Sequence, residues 1–431
     1  MSLEYTYHDS SANHQEKKEQ AMMSTPCRFC KTLLEDIFLD LGQMPLVDNF
    51  LKSEAEIPAE KLFPLKAMVC PECFLVQVAD VVPPEDMFST YHYFSSYSES
   101  WLKHCKSYAD MIIDRLKLSL SSNVIEMASN DGYMLKYFKE KGIGVLGVEP
   151  ASNIAKHAIK QGIPTENAFF GKATAQRLRN KGHQADLMIG NNVMAHVPDV
   201  NDFVAGIKIL LKPTGIVTME FPHLGKFMEE NQFDTIFHEH ASYLSLIFIK
   251  RLFEVQGLQL YHVEQIPTHG GSLRIYARHA EADEPIVEPS VQHILEQERA
   301  AGLDNLSTYT DFPQKVARIR DEILEFLRKV KSDGKTIAGY GAPGKGIIFL
   351  NYCGITPDLL AYTVDRNDHK QGLLMPGTHQ YIHNPDYIIN QKPDYVLILP
   401  WNLRDEIDHQ MSHIRKWGGQ FVVGIPELNV F

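Results

Sequence analysis

The stretch from Asn123 to Gly162, NVIEMASNDGYMLKYFKEKGIGVLGVEPASNIAKHAIKQG, decides the fold. VIEMA is a short apolar run closed by a turn signal, which reads as a buried strand. Ser129-Asn130-Asp131-Gly132 follows, a turn of residues that tolerate positive φ and bond to nearby backbone. GYMLKYFKEKG is helix-like, with Met134, Leu135 and Phe138 on one face. GVLGVEP is a second strand that brings Glu149 to its end, and a second helix follows. Strand, loop, helix, strand, loop, helix is the pattern of a parallel, doubly wound α/β sheet.

In such sheets ligands sit at the carboxyl ends of the strands. An acid that ends the second strand can accept hydrogen bonds from both hydroxyls of a ribose. The GxGxxG fingerprint of a dinucleotide site is absent after VIEMA, where only Gly132 remains. S-Adenosylmethionine carries no phosphate, so a looser polar turn suffices, and Asn130 and Asp131 can meet its charged amino acid end. On these residues alone, an ordinary α/β turn without a ligand stays open. ADLMIGNNVMAHVPDV, residues 185–200, gives another strand with polar residues at its carboxyl end. The candidate cofactor residues are Glu126, Ser129, Asn130, Gly132, Glu149, Pro150, Asn191 and Asn192.

Toward the N-terminus lie Cys27-x-x-Cys30 and Cys70-x-x-Cys73, four of the six cysteines in the chain. Two thiolates on each of two knuckles make the tetrahedral sulfur set that zinc prefers, with no open position, so the expected metal is structural zinc. The alternative is four unligated thiols. The 39 residues between the pairs imply an inserted loop, and FLVQVAD after the second knuckle alternates like a strand. The first residues, MSLEYTYHDSSANHQEKKEQ, are polar and lack the basic-then-apolar layout of a secretory signal; they read as a flexible leader. YHYFSSYSES, which contains Tyr91, is rich in aromatic and hydroxyl groups, and a helix is expected from Trp101 to Leu118.

Toward the C-terminus GIVTMEFPHL reads as a strand. FDTIFHEHASYLS, residues 233–245, then packs His238, Glu239 and His240 together. The zinc-protease motif would require a second histidine four residues after the first, and Ser242 stands there. Alternate residues on one segment cannot close a metal site without distant ligands, which leaves an acid–base site or a polar loop. THGGSLRIYARH places a Gly-Gly turn before a strand. Residues 280–308 look acidic and unpatterned. From Thr310 to Lys331, Val316, Ile319, Ile323, Phe326, Leu327 and Val330 recur at helical spacing. TIAGYGAPGKGIIFLNYCG then carries Gly339-x-Gly341-x-x-Gly344 between a strand and a helix, Pro343 suits the first helical turn, and YTVD ends in Asp365, where a ribose-facing acid is expected. DYVLILP and QFVVGIP supply later strands.

Composition narrows the function. The 431-residue chain is 44% hydrophobic and 22% charged, with a net charge of −12. Length predicts two or three domains. An acidic chain repels a phosphate backbone, so nucleic acid is not the expected partner. No run approaches the ~20 apolar residues of a membrane span. The expected protein is cytoplasmic, a monomer or small homo-oligomer.

CRFC with CPEC, EMASNDG, GVEPASNIA, NNVMAHVPD, FDTIFHEHASYLS, THGGSLRIY and GYGAPGKG together resemble the sugar C-methyltransferases of bacterial deoxysugar pathways, the tetronitrose and mycarose type. The resemblance runs from about Pro26 to the C-terminus. It implies a small N-terminal zinc-binding module followed by two Rossmann-like doubly wound α/β domains: leader 1–24, module 25–85, S-adenosylmethionine-dependent methyltransferase domain 86–285 and C-terminal domain 286–431. It implies a nucleotide-linked 4-keto sugar, usually dTDP-linked, methylated on the carbon beside its ketone through a base-generated enolate. By resemblance His240 is the base, Glu239 orients or polarises it, His196 acts near the sugar carbonyl, and Tyr91 adds a hydroxyl. Arg274, Lys345 and Tyr243 are candidate substrate contacts. An unperturbed histidine base would lose activity below about pH 6 to 6.5. Two departures stand out: Phe237 replaces the family's common tyrosine, and GYGAPGKG replaces GYGAAAKG. The competing readings are an O- or N-methyltransferase on a related small molecule and a non-catalytic assembly of a zinc module with α/β folds.

Overall fold

The computed structural model of the chain describes residues 25–79 and 99–431. Strands β1 (Asp36–Pro45), β2 (Leu62–Val69) and β3 (Val76–Val78) form an antiparallel meander beside the two cysteine knuckles. Its outer edge is completed from far along the chain.

The middle of the chain contributes β4 (Asn123–Met127), β5 (Gly144–Val148), β6 (Thr165–Glu166), β7 (Ala185–Asn191), β8 (Leu211–Pro222), β9 (Ser242–Tyr243), β10 (Leu258–Ile266) and β11 (Ser272–His279). All but β9 form one sheet in the order β10-β11-β8-β7-β4-β5-β6. The β4 to β8 part is parallel, and β11 runs antiparallel to both of its neighbours. VIEM of β4 is wholly buried because β4 lies between β5 and β7 with cover on both faces. The chain leaves β4 toward β5 on one side and returns to β7 on the other, so a crevice opens at their carboxyl ends. The helix Glu99–Leu116 starts and ends two residues earlier than its sequence suggests.

Residues 280–308 correct the sequence reading, because Pro289–Ala300 is a helix. Its apolar face is short (Val291, Ile294, Leu295), and a glutamate occupies the inward position where periodicity looks for an aliphatic residue. That residue, Glu298, is buried for a purpose. It accepts from His223 Nε2 (2.8 Å) and from the N–H groups of Leu246 (2.5 Å) and Ile247 (2.7 Å). It thereby satisfies orphan donors at the start of the helix Leu246–Val255.

The last sheet has the order β14-β13-β12-β15-β16-β17, built from β12 (Ile337–Tyr340), β13 (Tyr362–Val364), β14 (Tyr381–His383), β15 (Tyr395–Ile398), β16 (Gln420–Val423) and β17 (Asn429–Val430). It is parallel except for β17. The helix Phe312–Ser332 packs Val316, Ile319, Ile323, Leu327 and Val330 inward, as its spacing predicts. Pro343 lies just outside the helix Gly344–Cys353, as its N-cap in extended backbone, and not within the first turn as expected.

The cysteine module is wedged between the two larger sheets. Its strands share a core with the C-terminal domain, and Phe38 of β1 stacks on Phe312 at 4.9 Å. Its knuckles share a core with the middle domain. The fourth strand of its sheet is β9, paired antiparallel to β3 with Val76 opposite Tyr243 and Gln77 opposite Ser242. The histidine-rich segment therefore enters the cysteine module's sheet two residues after His240. No described helix is long and apolar enough to cross a membrane.

Candidate active site

The loop after β4 is tightly wound. Ala128, Asn130 and Gly132 all have positive φ (52°, 48° and 81°), a conformation asparagine and glycine tolerate best. Glu149, just past β5, fixes this turn: Oε2 accepts from the N–H of Asn130 within the loop (2.9 Å) and Oε1 from the N–H of Ala151 just after Pro150 (2.8 Å). Burial raises the Glu149 carboxyl above its ordinary value, and those two N–H groups oppose the rise. Glu126 is buried at the floor, beside Tyr133, and desolvation holds it well above the ordinary carboxylate range. Around the crevice, Ser129 Oγ, Asp131 Oδ1, both polar atoms of the Asn191 side chain and Asn192 Oδ1 are buried without a hydrogen-bond partner among the described residues. Buried polar atoms seldom stay unpaired. An acceptor-rich set at the ends of β4 and β7 suits an ammonium and hydroxyls and offers little to a phosphate. This fits S-adenosylmethionine.

The strand β7 leads directly from Asn191 and Asn192 to a 3₁₀ turn, Met194–His196. His196 lies against His240, ring centroids 4.8 Å apart, and Phe237 covers His240 at 3.8 Å. His240 Nδ1 is 3.0 Å from the Thr235 carbonyl oxygen. A carbonyl only accepts, so Nδ1 carries the proton, and in the neutral ring Nε2 presents its lone pair. Desolvation, then the charges of His196, His269 and Lys345, hold the His240 imidazole well below its ordinary 6.5. An activity limit at pH 6 to 6.5 is therefore not expected of this ring. Desolvation lowers His196 to about 4. Glu239 moves the other way, to about 7, through burial and the neighbouring charge of Asp48. Tyr243 donates from its hydroxyl to the same Thr235 oxygen (3.4 Å). His238 faces the cysteine module, 3.2 Å from the Pro64 oxygen. Tyr91 lies outside the described residues.

The C-terminal domain closes this cleft. Lys345, at the start of the helix Gly344–Cys353, donates to Asn402 Oδ1 (2.8 Å) and lies over Trp401 at 4.6 Å. Burial lowers its pKa, and Asp234 pulls it back up. Asp234 in turn accepts from Trp401 Nε1 (2.8 Å), and burial pushes it up to about 7.

Two further groups escaped the sequence reading. His269 adopts φ 56° before Gly270 and Gly271, and its ring sits 5.4 Å from Trp101. Desolvation and the Lys345 charge lower it to about 4. THGG carried the only signal for it, a bulky residue at the head of a tight turn. Glu220, near the end of β8, accepts from His104 Nε2 (3.0 Å), Thr268 Oγ1 (3.0 Å) and Arg274 Nη2 (3.1 Å). Arg274 is 5% exposed and gives its other terminal nitrogen to Glu264 (3.0 Å). To reach a pyrophosphate it would have to leave two carboxylates.

Cys27, Cys30, Cys70 and Cys73 converge, with all four sulfurs within 4.8 Å of one another. Three of the separations are 3.4, 3.5 and 3.7 Å. Four sulfurs on a tetrahedron at the ~2.3 Å zinc–sulfur distance stand about 3.8 Å apart. The geometry fits a closed structural zinc site.

Comparison with known proteins agrees. Residues 27–88 match the "Putative zinc binding domain" family, 101–263 the methyltransferase domain family and 267–426 the C-methyltransferase C-terminal domain family. C-methyltransferase NovU of Streptomyces niveus is 37% identical over 94% of this chain and 97% of its own. An ubiquinone biosynthesis O-methyltransferase of Bartonella bacilliformis is 25% identical over 31% of this chain and 55% of its own. Among solved structures, a magnesium protoporphyrin IX methyltransferase from Synechocystis with bound SAH covers 41% of this chain and 82% of its own at 14% identity and a TM-score of 0.34. With full-length kinship to one C-methyltransferase, a sulfur cluster shaped for zinc and an acceptor-lined crevice beside paired histidines, the chain belongs to the zinc-binding, S-adenosylmethionine-dependent C-methyltransferases.

Proposed function

We propose that the protein methylates the carbon beside the ketone of a nucleotide-linked 4-keto deoxysugar, with a dTDP-sugar as the leading candidate, by way of an enolate. The observation that carries the reading is the His240 tautomer. Its Nδ1–H is tied to Thr235, and its Nε2 lone pair is kept unprotonated by the cleft. A carbon beside a ketone releases a proton only to a positioned base. O- and N-methylation act on atoms that already hold a lone pair and do not need a base strong enough to take a C–H proton.

In this reading Ser129, Asn130, Asp131, Gly132, Glu149, Pro150, Asn191 and Asn192 hold the cofactor, with Glu126 beneath them. The cofactor supplies an electrophilic methyl group. His240 Nε2 takes the proton. His196 and Glu239 flank it, and Glu239, raised to about 7, is able to hold a proton near neutral pH. Phe237 has no hydroxyl to steady the enolate oxygen, so that task falls to donors across the cleft. After His196, the charges that act on His240 are those of His269 and Lys345. Excluding water strengthens each of these interactions. Tyr243 orients Thr235, and Lys345 serves the sugar nucleotide as a cation.

The test is product mass spectrometry after incubation with S-adenosylmethionine and a panel of nucleotide-linked 4-keto sugars, in deuterated solvent. A gain of one methyl, with solvent deuterium appearing beside the ketone in unreacted substrate, supports the reading. Methylation on oxygen or nitrogen without that exchange overturns it.

A further inference from the structure

Cys27 and His240 are remote in sequence, yet one side chain joins their neighbours. Arg28 donates from Nη1 to the main-chain oxygen of Ala241 (2.8 Å) and from Nη2 to that of Val78 (2.7 Å). Ala241 directly follows His240. Val78 N–H donates to the same Ala241 oxygen (3.1 Å). The carbonyl after the base is thus gripped by two donors, one from beside a cysteine ligand and one from β3. The other end of the arginine is fixed as well. Arg28 N–H donates to Gln77 Oε1 (2.9 Å), and Gln77 Nε2 reaches Cys27 Sγ (3.4 Å). Gln77 is fully buried and lies opposite Ser242 across the β3–β9 pair.

A guanidinium is a rigid planar fork, so two bonds, to the last carbonyl of β3 and to the carbonyl just before β9, set orientation as well as distance. The peptide so oriented joins Ala241 to Ser242, so the chain is fixed one residue after the one that bears the imidazole. A base misplaced by about 1 Å can cost on the order of 10²-fold in rate. Groups that bond to metal ligands, as Gln77 does to Cys27, orient those ligands and affect metal affinity and activity.

We propose that Arg28 is a positioning residue for His240, carrying the geometry of the four-cysteine cluster to the base through the Ala241 carbonyl. This rests on the reading of His240 as the base. The guanidinium directs its Nη1 and Nη2 bonds to protein carbonyls, which makes its role one of placement. It makes metal loading and proton abstraction two ends of one lever.

Arg28→Met and Arg28→Lys test it in the full-length, metal-loaded protein, with S-adenosylmethionine and a dTDP-linked 4-keto sugar. Arg28→Met should keep its metal and its cofactor affinity, with kcat lowered roughly 10–100-fold and KM unchanged. The peptide spanning residues 235–245 should exchange its amide hydrogens faster. Arg28→Lys, which keeps the charge but only one point of contact, should fall between the two. Full metal with unchanged kcat, or a lower kcat with unaltered exchange across 235–245, overturns the proposal. If Arg28→Met does not hold metal, loaded Arg28→Lys is read on the same two scales, and wild-type values on both overturn it. His240→Asn, run in parallel, separates the two readings. It should lose turnover while residues 235–245 exchange normally. An active His240→Asn removes the base assignment, whereas an inactive His240→Asn beside a fully active Arg28→Met removes only the positioning role.

Discussion

Glu149 and Asp365 follow corresponding strands, β5 and β13, and each turns both carboxylate oxygens onto backbone N–H groups. Glu149 holds Asn130 and Ala151; Asp365 holds Ala342 (2.6 Å) and Asn367 (2.7 Å). What surrounds the two turns differs. Beside Glu149, side-chain atoms of Ser129, Asp131, Asn191 and Asn192 are buried and unmatched. Beside Asp365 the space is filled. A Cβ on Gly344 would come within 3.1 Å of Val47, and one on Gly341 within 2.6 Å of Pro400. Lys370 donates to the Ala342 oxygen (2.8 Å) and lies over Phe50 at 4.9 Å. The C-terminal turn carries the richer glycine signature, yet the cysteine module's Val47–Phe50 segment packs over it. Glycines there serve close packing against protein. Ligand capacity follows from unmatched polar atoms and open space, which a fingerprint of glycines does not guarantee.

The sharpest way to break this contrast is at the cleft where the two domains meet. His240→Asn should fold, bind S-adenosylmethionine normally and lose ~10²–10⁴-fold in turnover, the share of a positioned general base. In the unaltered enzyme the histidine limb of kcat/KM should lie well below 6.5, because the folded protein resists protonating this ring. The same sign applies to stability. As pH falls below 6.5, the unfolded chain binds protons at His196, His240 and His269 that the folded chain refuses, so stability should decline. A histidine limb at its ordinary value, seen in the pH–rate profile, would mean the cleft is wetter than its geometry implies.

Cys70→Ser should lower metal content and melting temperature together, since structural zinc contributes folding free energy directly. Metal analysis beside thermal denaturation reads both, and a metal-poor protein of full stability would detach the wedge from the fold. Glu149→Gln should weaken S-adenosylmethionine about tenfold or more, because a charged acceptor is worth roughly 1.5–3 kcal/mol; calorimetry decides it. Asp365→Asn is the matched control. It should leave cofactor affinity within about twofold and cost about 1–2 kcal/mol of stability. Equal losses of cofactor affinity in the two variants would erase the distinction between the turns.

Local patterns carried most of the fold. VIEMA, GVLGV, ADLMIGN and YVLI are short apolar runs beside turn signals, and each is a strand close to where it reads as one. Pairing between distant segments was not legible. Ser242-Tyr243 is too short to show alternation, and its partner β3 lies more than 160 residues away in the chain. Glu298 hid a helix because its burial depends on donors at Leu246 and Ile247 that only the folded chain supplies. At the cleft the same divide holds. His238-Glu239-His240 is conspicuous in sequence, but which histidine faces His196 and which faces Pro64 is set by the turn at Thr235. Asp234, Trp401 and His269 join the cleft from three separate stretches, with no shared pattern to announce them.

The late arrival of β9 has a consequence for synthesis on the ribosome. Both cysteine knuckles have been made once Cys73 is added, but the outer edge of β3 stays bare until Tyr243 emerges. Until then Val76 and Gln77 lack the strand they pair with in the folded chain, and an uncovered edge of that kind recruits foreign strands. Early metal capture would stiffen that edge without covering it. Slow elongation between residues 78 and 243 should therefore favour misassembly, and a chaperone that shields extended segments is the natural guardian of this protein's birth.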